Sequence, residues 1–275
     1  MKIMKLPILV FIVGIIFYNV YDNNRISLVK EEIQIDSLPT SFNNFKILQI
    51  TDLHGKVFGK NQKNLIDKIN SVDYDAIAIT GDMMDSNSDD YKPLENLLEG
   101  IKNKEYVFYV PGNNGPEFYD KLGDLGCIPL DKPYEIKRGN DKIVVFDFFD
   151  NGKFRDDIKN YENYTTIGIT HYPRDNSFYN NAREHVGKYD LVLAGHYHGG
   201  QIRIPFYGAL FIPNINNNKA RFFPNQSDVS GYNIYGDYKQ YISKGLGSRK
   251  LGSNKLKFRL FNTPEINLIT LVKNK

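Results

Sequence analysis

The chain has 275 residues, 41% hydrophobic and 24% charged, which is the balance of a folded protein and excludes a disordered or fibrous one. Its net charge of +3 is the difference between 35 Lys and Arg and 32 Asp and Glu spread along the whole length, so no basic stretch tracks a nucleic-acid backbone and no nucleic acid is expected as a partner. The single cysteine, Cys127, excludes an intrachain disulfide and reads as a small buried apolar residue.

The first predicted element is a membrane helix. Leu6 to Val20 holds no charged residue, and Lys2 and Lys5 precede it. A helix from Ile3 to Tyr21 would be roughly 28 Å long, close to a hydrocarbon core of about 30 Å. Residues 1–21 are therefore predicted to be a single-pass anchor. A cleaved secretory signal is the competing reading, because a basic start and an apolar middle also suit one. Against it, Asn19, Val20, Tyr21, Asp22 and Asn23 contain no small-x-small cleavage pattern. Lys2, Lys5 and the terminal amine outweigh Arg25, so the positive-inside rule puts the N-terminus in the cytoplasm and the large domain outside the cell membrane. The alternative location is secreted, after signal cleavage. Residues 22–44 are polar and mixed. They read as a tether with room for an edge strand, and the folded domain is predicted over 45–275.

Within that domain, short apolar runs alternate with amphipathic stretches. Phe45 to Ile50, Ala76 to Ile79 and Tyr106 to Val110 read as strands. Asn61 to Asn70, Pro93 to Ile101 and Glu117 to Leu125 read as helices, the last ended by Gly126. The second half is richer in strand: Ile143 to Phe149, Thr166 to Ile169, Leu191 to Ala194, Gln201 to Pro205, Gln240 to Ser243, Leu256 to Phe261 and Ile266 to Val272. Asn216, Asn217 and Asn218 read as loop, and Asn181 to Lys188 as a helix carrying His185 on its surface. The predicted class is α/β, with two mixed sheets packed as a sandwich and helices outside.

Polar residues able to bind metal recur just after the apolar runs. They are Asp52-Leu53-His54, Gly81-Asp82, Gly112-Asn113-Asn114, Thr170-His171, and Gly195-His196-Tyr197-His198-Gly199-Gly200. Each alone is an ordinary turn signal. Together they fall where an α/β fold places its ligands, and four of the five histidines lie in these turns. In His196-x-His198 an extended backbone would turn both imidazoles to one side.

This set, in this order, resembles the calcineurin-like metallophosphoesterase superfamily, whose pattern runs Asp-x-His, Gly-Asp, Gly-Asn-His, a single His and Gly-His-x-His. The resemblance spans Phe45 to Val272. Gly195 to Gln201, together with Tyr241 to Gly247 and Pro264-Glu265-Ile266, resembles a branch of small membrane-associated or exported bacterial phosphodiesterases. It implies two divalent ions (Mn, Fe or Zn): one held by Asp52, His54 and His198, a second by Asn113, His171 and His196, with Asp82 bridging. Ions about 3.5–4 Å apart can clamp a phosphate and activate a water. The implied reaction is hydrolysis of a phosphodiester or pyrophosphate bond in a phosphorylated small-molecule or lipid substrate. No feature of the sequence specifies an oligomer.

The sequence departs from the pattern at Asn114, where the family has the His that assists the leaving group. An amide donates a hydrogen bond but delivers no proton. Asn114 and Asp82 are the candidate catalytic residues. The alternative is a catalytically impaired envelope protein that binds metal or phosphate. Two further features have a solvated or packing reading beside a functional one: Arg221-Phe222-Phe223-Pro224, which could line a lipid-facing groove, and Lys244, Arg249 and Lys250, which could attract phosphate.

Overall fold

Apolar runs without polar interruption form strands that are covered on both faces. In the computed structural model, which describes residues 5–85, 90–114, 119–148, 160–182, 189–213, 220–250 and 257–274, these runs build two sheets. Helix α1 (Lys5–Asn24) leads into β1 (Ser27–Ile35) and β2 (Phe45–Ile50). Three helix–strand units follow: α2 (Lys63–Asn70) with β3 (Ala76–Thr80), α3 (Lys92–Gly100) with β4 (Val107–Val110), and α4 (Tyr119–Leu122) with β5 (Ile128–Pro129). Next come β6 (Tyr134–Arg138), β7 (Asp141–Asp147), β8 (Thr165–Ile169), α5 (Asn176–Ala182) and β9 (Leu191–Ala194). Two small ladders pair β10 (Arg203–Ile204) with β11 (Gly208–Ala209) and β12 (Phe211–Pro213) with β13 (Ala220–Phe222). The last strands are β14 (Gly231–Tyr235), β15 (Tyr238–Ile242) and β16 (Glu265–Lys273).

Among the described residues, one six-stranded sheet has the order β1-β16-β2-β3-β4-β5 and the other the order β14-β15-β9-β8-β7-β6. Both are mixed. In the first, β2 to β5 run parallel and β16 runs antiparallel to β2. In the second, β15, β9, β8 and β7 run parallel, with β14 and β6 antiparallel at the edges. The predicted α/β sandwich is the fold observed.

Alternation along each strand divides the interior into layers. Phe45, Ile47, Ala76, Ala78, Phe108 and Val110 pack between the sheets against Ile143, Val145, Ile167, Ile169, Leu191 and Leu193. The intervening Leu48, Ile50, Ile77, Ile79 and Tyr109 face outward and are covered by Leu65 and Ile69 of α2 and by Leu94, Leu97 and Leu98 of α3. On the far side, Val144, Phe146 and Val192 meet a tyrosine-rich layer of Tyr179, Tyr189, Tyr235 and Tyr238. Each buried Ile or Leu contributes about 1.5–3 kcal/mol, so this layering fixes the register of every strand and thereby the height of the turns at its ends. Cys127 lies in the helix-side core, where burial pushes its thiol up to about 12.

Several expectations change. The stretch 22–44 is more than a tether: β1 pairs in parallel with β16 from Ser27 to Ile35, burying Ile33 and Ile35, so the ordered sheet begins before Phe45. Lys30, Glu31, Glu32 and Gln34 lie between apolar positions, which suits an exposed sheet edge. The helix expected from Asn61 is regular only from Lys63, because Asn61 and Gln62 have left-handed φ of 52° and 63° and the Gln62 amide holds Lys56 O and Phe58 N. Of Gln201 to Pro205, only Arg203–Ile204 is a strand. Lys257 to Phe261 is irregular, touching Ile202 through one bridge at Leu260; Leu256 lies outside the described residues. Glu117, residues 183–188 of the expected Asn181 to Lys188 helix with His185, and Asn216 to Asn218 also lie outside them. Phe222 and Phe223 are exposed rather than packed in a core, beside the exposed Phe206 and Tyr207.

Candidate metal centre

The seven candidate ligands lie just beyond the C-terminal ends of five strands from both sheets. Asp52 and His54 follow β2, Asp82 follows β3, Asn113 follows β4, His171 follows β8, and His196 and His198 follow β9. All but Asn113 are buried. The turns are tight. Asp52, His54, Asp82, His196 and His198 all have left-handed φ, between 48° and 72°, a region that non-glycine residues adopt only when their surroundings hold them there. Gly112 and Gly195 allow the close approach: a Cβ on Gly112 would collide with Asp82 Oδ1, and one on Gly195 with Thr51 Oγ1 and Asp52 Oδ2.

The side chains converge. His54 Nε2 lies 3.1 Å from His198 Nε2 and 3.4 Å from Asp82 Oδ2, and His198 Nε2 lies 3.4 Å from Asp52 Oδ1. His171 Nε2 lies 3.5 Å from Asp82 Oδ2, 3.0 Å from His196 Nδ1 and 3.2 Å from Asn113 Oδ1. Two sets offer ligand atoms within 4.8 Å of one another: Asp52, His54 and His198, and Asp52, Asp82 and His171. Every carboxylate and imidazole of the sequence reading therefore reaches one cluster. Asn113 joins it through His171. Asn114 joins it differently: its backbone N–H and its side-chain amide donate to Asp82 Oδ1 and Oδ2, at 2.8 and 2.6 Å. It grips the carboxylate expected to bridge.

Burial in this cluster favours neutral groups. It carries His54 down to about 4 and takes His196 and His198 well below the ordinary range. It also raises Asp52 to about 6. Asp82 and His171 behave as an ion pair. Burial opposes charge on both, yet His171 holds the Asp82 carboxyl far below its usual range, and Asp82 holds His171 up at about 9.

The donor set fits divalent cations. Asp52 Oδ1 and His198 Nδ1 are buried without a hydrogen-bond partner, and the Nε2 atoms of two imidazoles that burial keeps neutral face each other across 3.1 Å. One tautomer lets a single N–H bridge the two nitrogens but leaves Asp52 Oδ1 unpaired; a cation among them would satisfy all three atoms together. Oxygen and imidazole ligands without a thiolate suit Mn, Fe or Zn.

The sequence model for calcineurin-like phosphoesterases matches residues 45–200, more than half of the chain and all seven candidate ligands. The chain belongs to the calcineurin-like phosphoesterase family. The chain is 28% identical over 264 residues to an uncharacterized metallophosphoesterase of Campylobacter jejuni, an alignment covering 89% of the chain and 64% of that protein. It is 33% identical over 84 residues to the phosphodiesterase YaeI of Escherichia coli, covering 30% of the chain and 26% of that protein. It is 25% identical over 200 residues to a transmembrane protein with metallophosphoesterase domain from Bos taurus, covering 62% of the chain and 44% of that protein. The chain thus spans less than two thirds of the length of each of these relatives.

Three residues that sequence reasoning passed over support the phosphoesterase site. Gln49, fully buried in β2, donates to Thr80 Oγ1 at 3.1 Å and to Ala194 O at 2.8 Å, which ties the end of β3 to the end of β9 in the other sheet. Thr51 Oγ1 donates to Asp52 Oδ2 at 2.9 Å, and the His196 N–H donates to the same oxygen at 2.9 Å. Arg259, fully buried, donates to His198 O at 3.2 Å and so supports the His-x-His turn from behind. A glutamine inside an apolar strand is a readable signal; a lone arginine in a Lys-rich loop is not. Of the basic residues expected to attract phosphate, Lys244 is paired with Glu265 at 2.7 Å and Lys250 lies 3.9 Å from Asp85.

Proposed function

We propose that this chain hydrolyses a phosphodiester or pyrophosphate bond in a lipid or envelope molecule, with divalent metal ions held by Asp52, His54, Asp82, Asn113, His171, His196 and His198. The observation that carries the reading is the convergence of buried carboxylates and imidazoles within ligand distance of one another, with Asp52 Oδ1 left unpartnered among them. Ions bound there would supply Lewis-acid charge to a phosphoryl oxygen and lower the pKa of a water. The chain's own groups set the stage. Thr51 and the His196 N–H fix one oxygen of Asp52, leaving Oδ1 free to face the cluster. Asn114 fixes both oxygens of Asp82. His171 Nδ1 faces Thr80 O at 3.0 Å, which sets its tautomer and aims Nε2 at Asp82. Hydrolysis adds the water oxygen to phosphorus and releases the leaving oxygen, which takes up a proton. Because the Asn114 amide is committed to Asp82, that proton comes from solvent, which favours substrates with good leaving groups.

The lipid assignment rests on α1, whose length and apolar surface suit a bilayer span, and on the transmembrane relative. The same reading places the N-terminus inside and the domain outside a cell membrane, so protease added to intact cells should cut the domain.

The full chain, purified in neutral detergent and loaded with Mn2+, Fe2+ or Zn2+, should cleave bis-p-nitrophenyl phosphate. Asp82→Ala should lower the rate at least about a hundredfold, since even partners behind metal ligands are worth 10–100-fold. No turnover with any of the three metals would overturn the reading. One observation favours a second reading, a protein that binds metal and phosphate without turnover: the amide of Asn114, at the family's histidine position, delivers no proton and is committed to Asp82 Oδ2. Full metal occupancy with tight phosphate binding and no hydrolysis would select it.

A further inference from the structure

Helix α1 is docked on the metal-site loops rather than hung from them. Its last turns carry Asn19, Asp22 and Asn23 at helical spacing on one face. Asn19 Nδ2 and Asn23 Nδ2 both donate to Arg259 O at 2.7 Å, and Arg259 N returns a bond to Asn23 Oδ1 at 2.9 Å. Thr263 Oγ1 donates to Asp22 at 2.6 Å, and the Lys56 ammonium donates to Asn23 O. Lys56 is two residues from His54, so the helix end is bonded directly to the turn that carries a candidate ligand.

Between this helix end and His54 lies a cavity of about 410 Å³. It is lined by Val20 and Asn23 of α1 and by His54, Lys56, Lys257 and Phe258. Among the described lining residues there is no carboxylate. The side-chain amines of Lys56 and Lys257 give the cavity the donors of an anion site, and burial lowers Lys56 to about 7. Lys257 is turned toward the ligand turn, donating to His54 O at 3.3 Å while paired with Asp85 at 2.6 Å. Lys56 has no carboxylate within ion-pair reach among the described residues. Val20, which lines the cavity, and Tyr21 are largely exposed, 58% and 66%, and continue the apolar surface of the helix. From Asn19 to Asn24 the helix rises about 9 Å, comparable to the depth of a headgroup layer.

We propose that this cavity is the head-group subsite of the enzyme: it takes the phosphate-bearing head of an anionic amphiphile whose apolar part stays in the bilayer beside α1. This rests on the phosphoesterase reading and adds that α1 is part of the substrate site. The head is held by Lys56 and Lys257, with its phosphate reaching the cluster at His54. An amphiphile in the same membrane as α1 is thereby presented at the correct depth without leaving the bilayer.

The test uses the full chain in neutral detergent micelles and two probes with the same leaving group: bis-p-nitrophenyl phosphate, and a hexadecyl p-nitrophenyl phosphate that resides in the micelle. The readout is the ratio of kcat/KM for the micellar probe to that for the soluble one. Lys56→Met and Lys257→Met should each lower the ratio about tenfold, the scale of one lost charge-assisted hydrogen bond, mainly through KM. Since Lys56 also holds the helix, a second pair avoids misfolding. Asn24 is exposed at the cavity rim, so Asn24→Glu should lower the ratio by repulsion and Asn24→Lys should not. A ratio unmoved by Lys56→Met, Lys257→Met and Asn24→Glu, with the soluble probe still cleaved, overturns the head-group subsite. So does an equal change for both probes accompanied by weaker inhibition by inorganic phosphate, which would make the cavity a site for free phosphate. Failure of wild type to cleave either probe strikes the phosphoesterase reading instead, so the two failures are distinguishable.

Discussion

The molecule contains two buried polar clusters that share a residue and solve opposite problems. In one, Arg259 is a cation supplied by the chain. Its guanidinium donates to the carbonyls of His198, Lys244, Gly245, Gly247 and Asn262 and to the Asn262 side-chain oxygen, at 2.7 to 3.2 Å. Burial lowers it only to about 10, so it stays charged at neutral pH. In the other, a few ångströms away through His198, the candidate ligands are collected, and a cation held there would come from outside. There Asp52 Oδ1 is left without a partner and the histidines are pressed together. The comparison teaches that one cluster is scaffold and the other is a strained receptor, and that the scaffold holds the receptor's His-x-His turn in place.

The sharpest way to break the comparison is to remove the internal cation. Arg259→Met removes the donor from the carbonyls of Lys244, Gly247 and Asn262, while His198 O and Gly245 O keep a second one, and the loss should be about 3–5 kcal/mol by urea unfolding of the full chain in detergent. A loss under about 1 kcal/mol would mean water replaces the guanidinium and the loops are not organised by it.

Removing the external cation should have a smaller effect. Stripping with a chelator should lower stability by about 3 kcal/mol relative to protein at 100-fold excess of metal over its dissociation constant. The stripped protein should also become sensitive to pH. His54, lowered by burial from 6.5 to about 4, contributes stability that is complete above pH 6.5 and is lost as pH falls toward 4. His196 and His198 act in the same direction, and Asp52, raised to about 6, partly opposes them. His171, raised from 6.5 to about 9, contributes stability that is complete below pH 6.5 and is lost as pH rises through 9. Metal-free protein should therefore be most stable near pH 6.5, while the loaded form, whose ligands cannot take protons, should show a flatter profile. A flat profile in the stripped protein would contradict the burial of these groups.

The clusters differ equally in how far the sequence announces them. Strands β2 and β9 fall on the predicted bounds to the residue, because the apolar positions of both are buried and Gln49, the buried polar residue of β2, has its hydrogen bonds satisfied inside, and the ligand turns follow at once. The receptor was therefore legible as a set of residue types at strand ends. Its backbone strain was not, since nothing in Asp-x-His states that both residues will be left-handed. The scaffold was illegible. Lys257 to Phe261 has the composition of a strand, but it forgoes strand pairing to carry Arg259 inward, and only tertiary contacts select that outcome. Strand β1 was legible only as room for an edge strand, without bounds, because an edge strand presents charge outward and so resembles a tether.

Within the receptor, Asn114→His sharpens what its histidines lack. The side chain would give up its bond to Asp82 and bring a group able to carry a proton. Metal content should be unchanged, because Asp52, His54 and His198 are untouched. Turnover of alkyl esters, which have poor leaving groups, should rise up to about a hundredfold, with p-nitrophenyl esters little affected. Loss of metal in this variant would show that the amide's grip on Asp82 is needed to form the site.

The smallest expected effect lies where the helix meets the scaffold, and its size follows from redundancy. Arg259 O accepts from Asn19 and from Asn23 at the same 2.7 Å. Asn19→Ala removes one donor and leaves the carbonyl satisfied, so the change should be about 1 kcal/mol or less in the melting of the full chain in detergent, with metal content unaltered. Asn23 makes bonds in both directions, since it also accepts from the Arg259 N–H, and Asn23→Ala should exceed Asn19→Ala for that reason. If the two substitutions instead prove equal and both near zero, the helix is not seated on the Arg259 loop in solution. The scaffold would then end at the sheet, and α1 would be free to move relative to the receptor it is bonded to here.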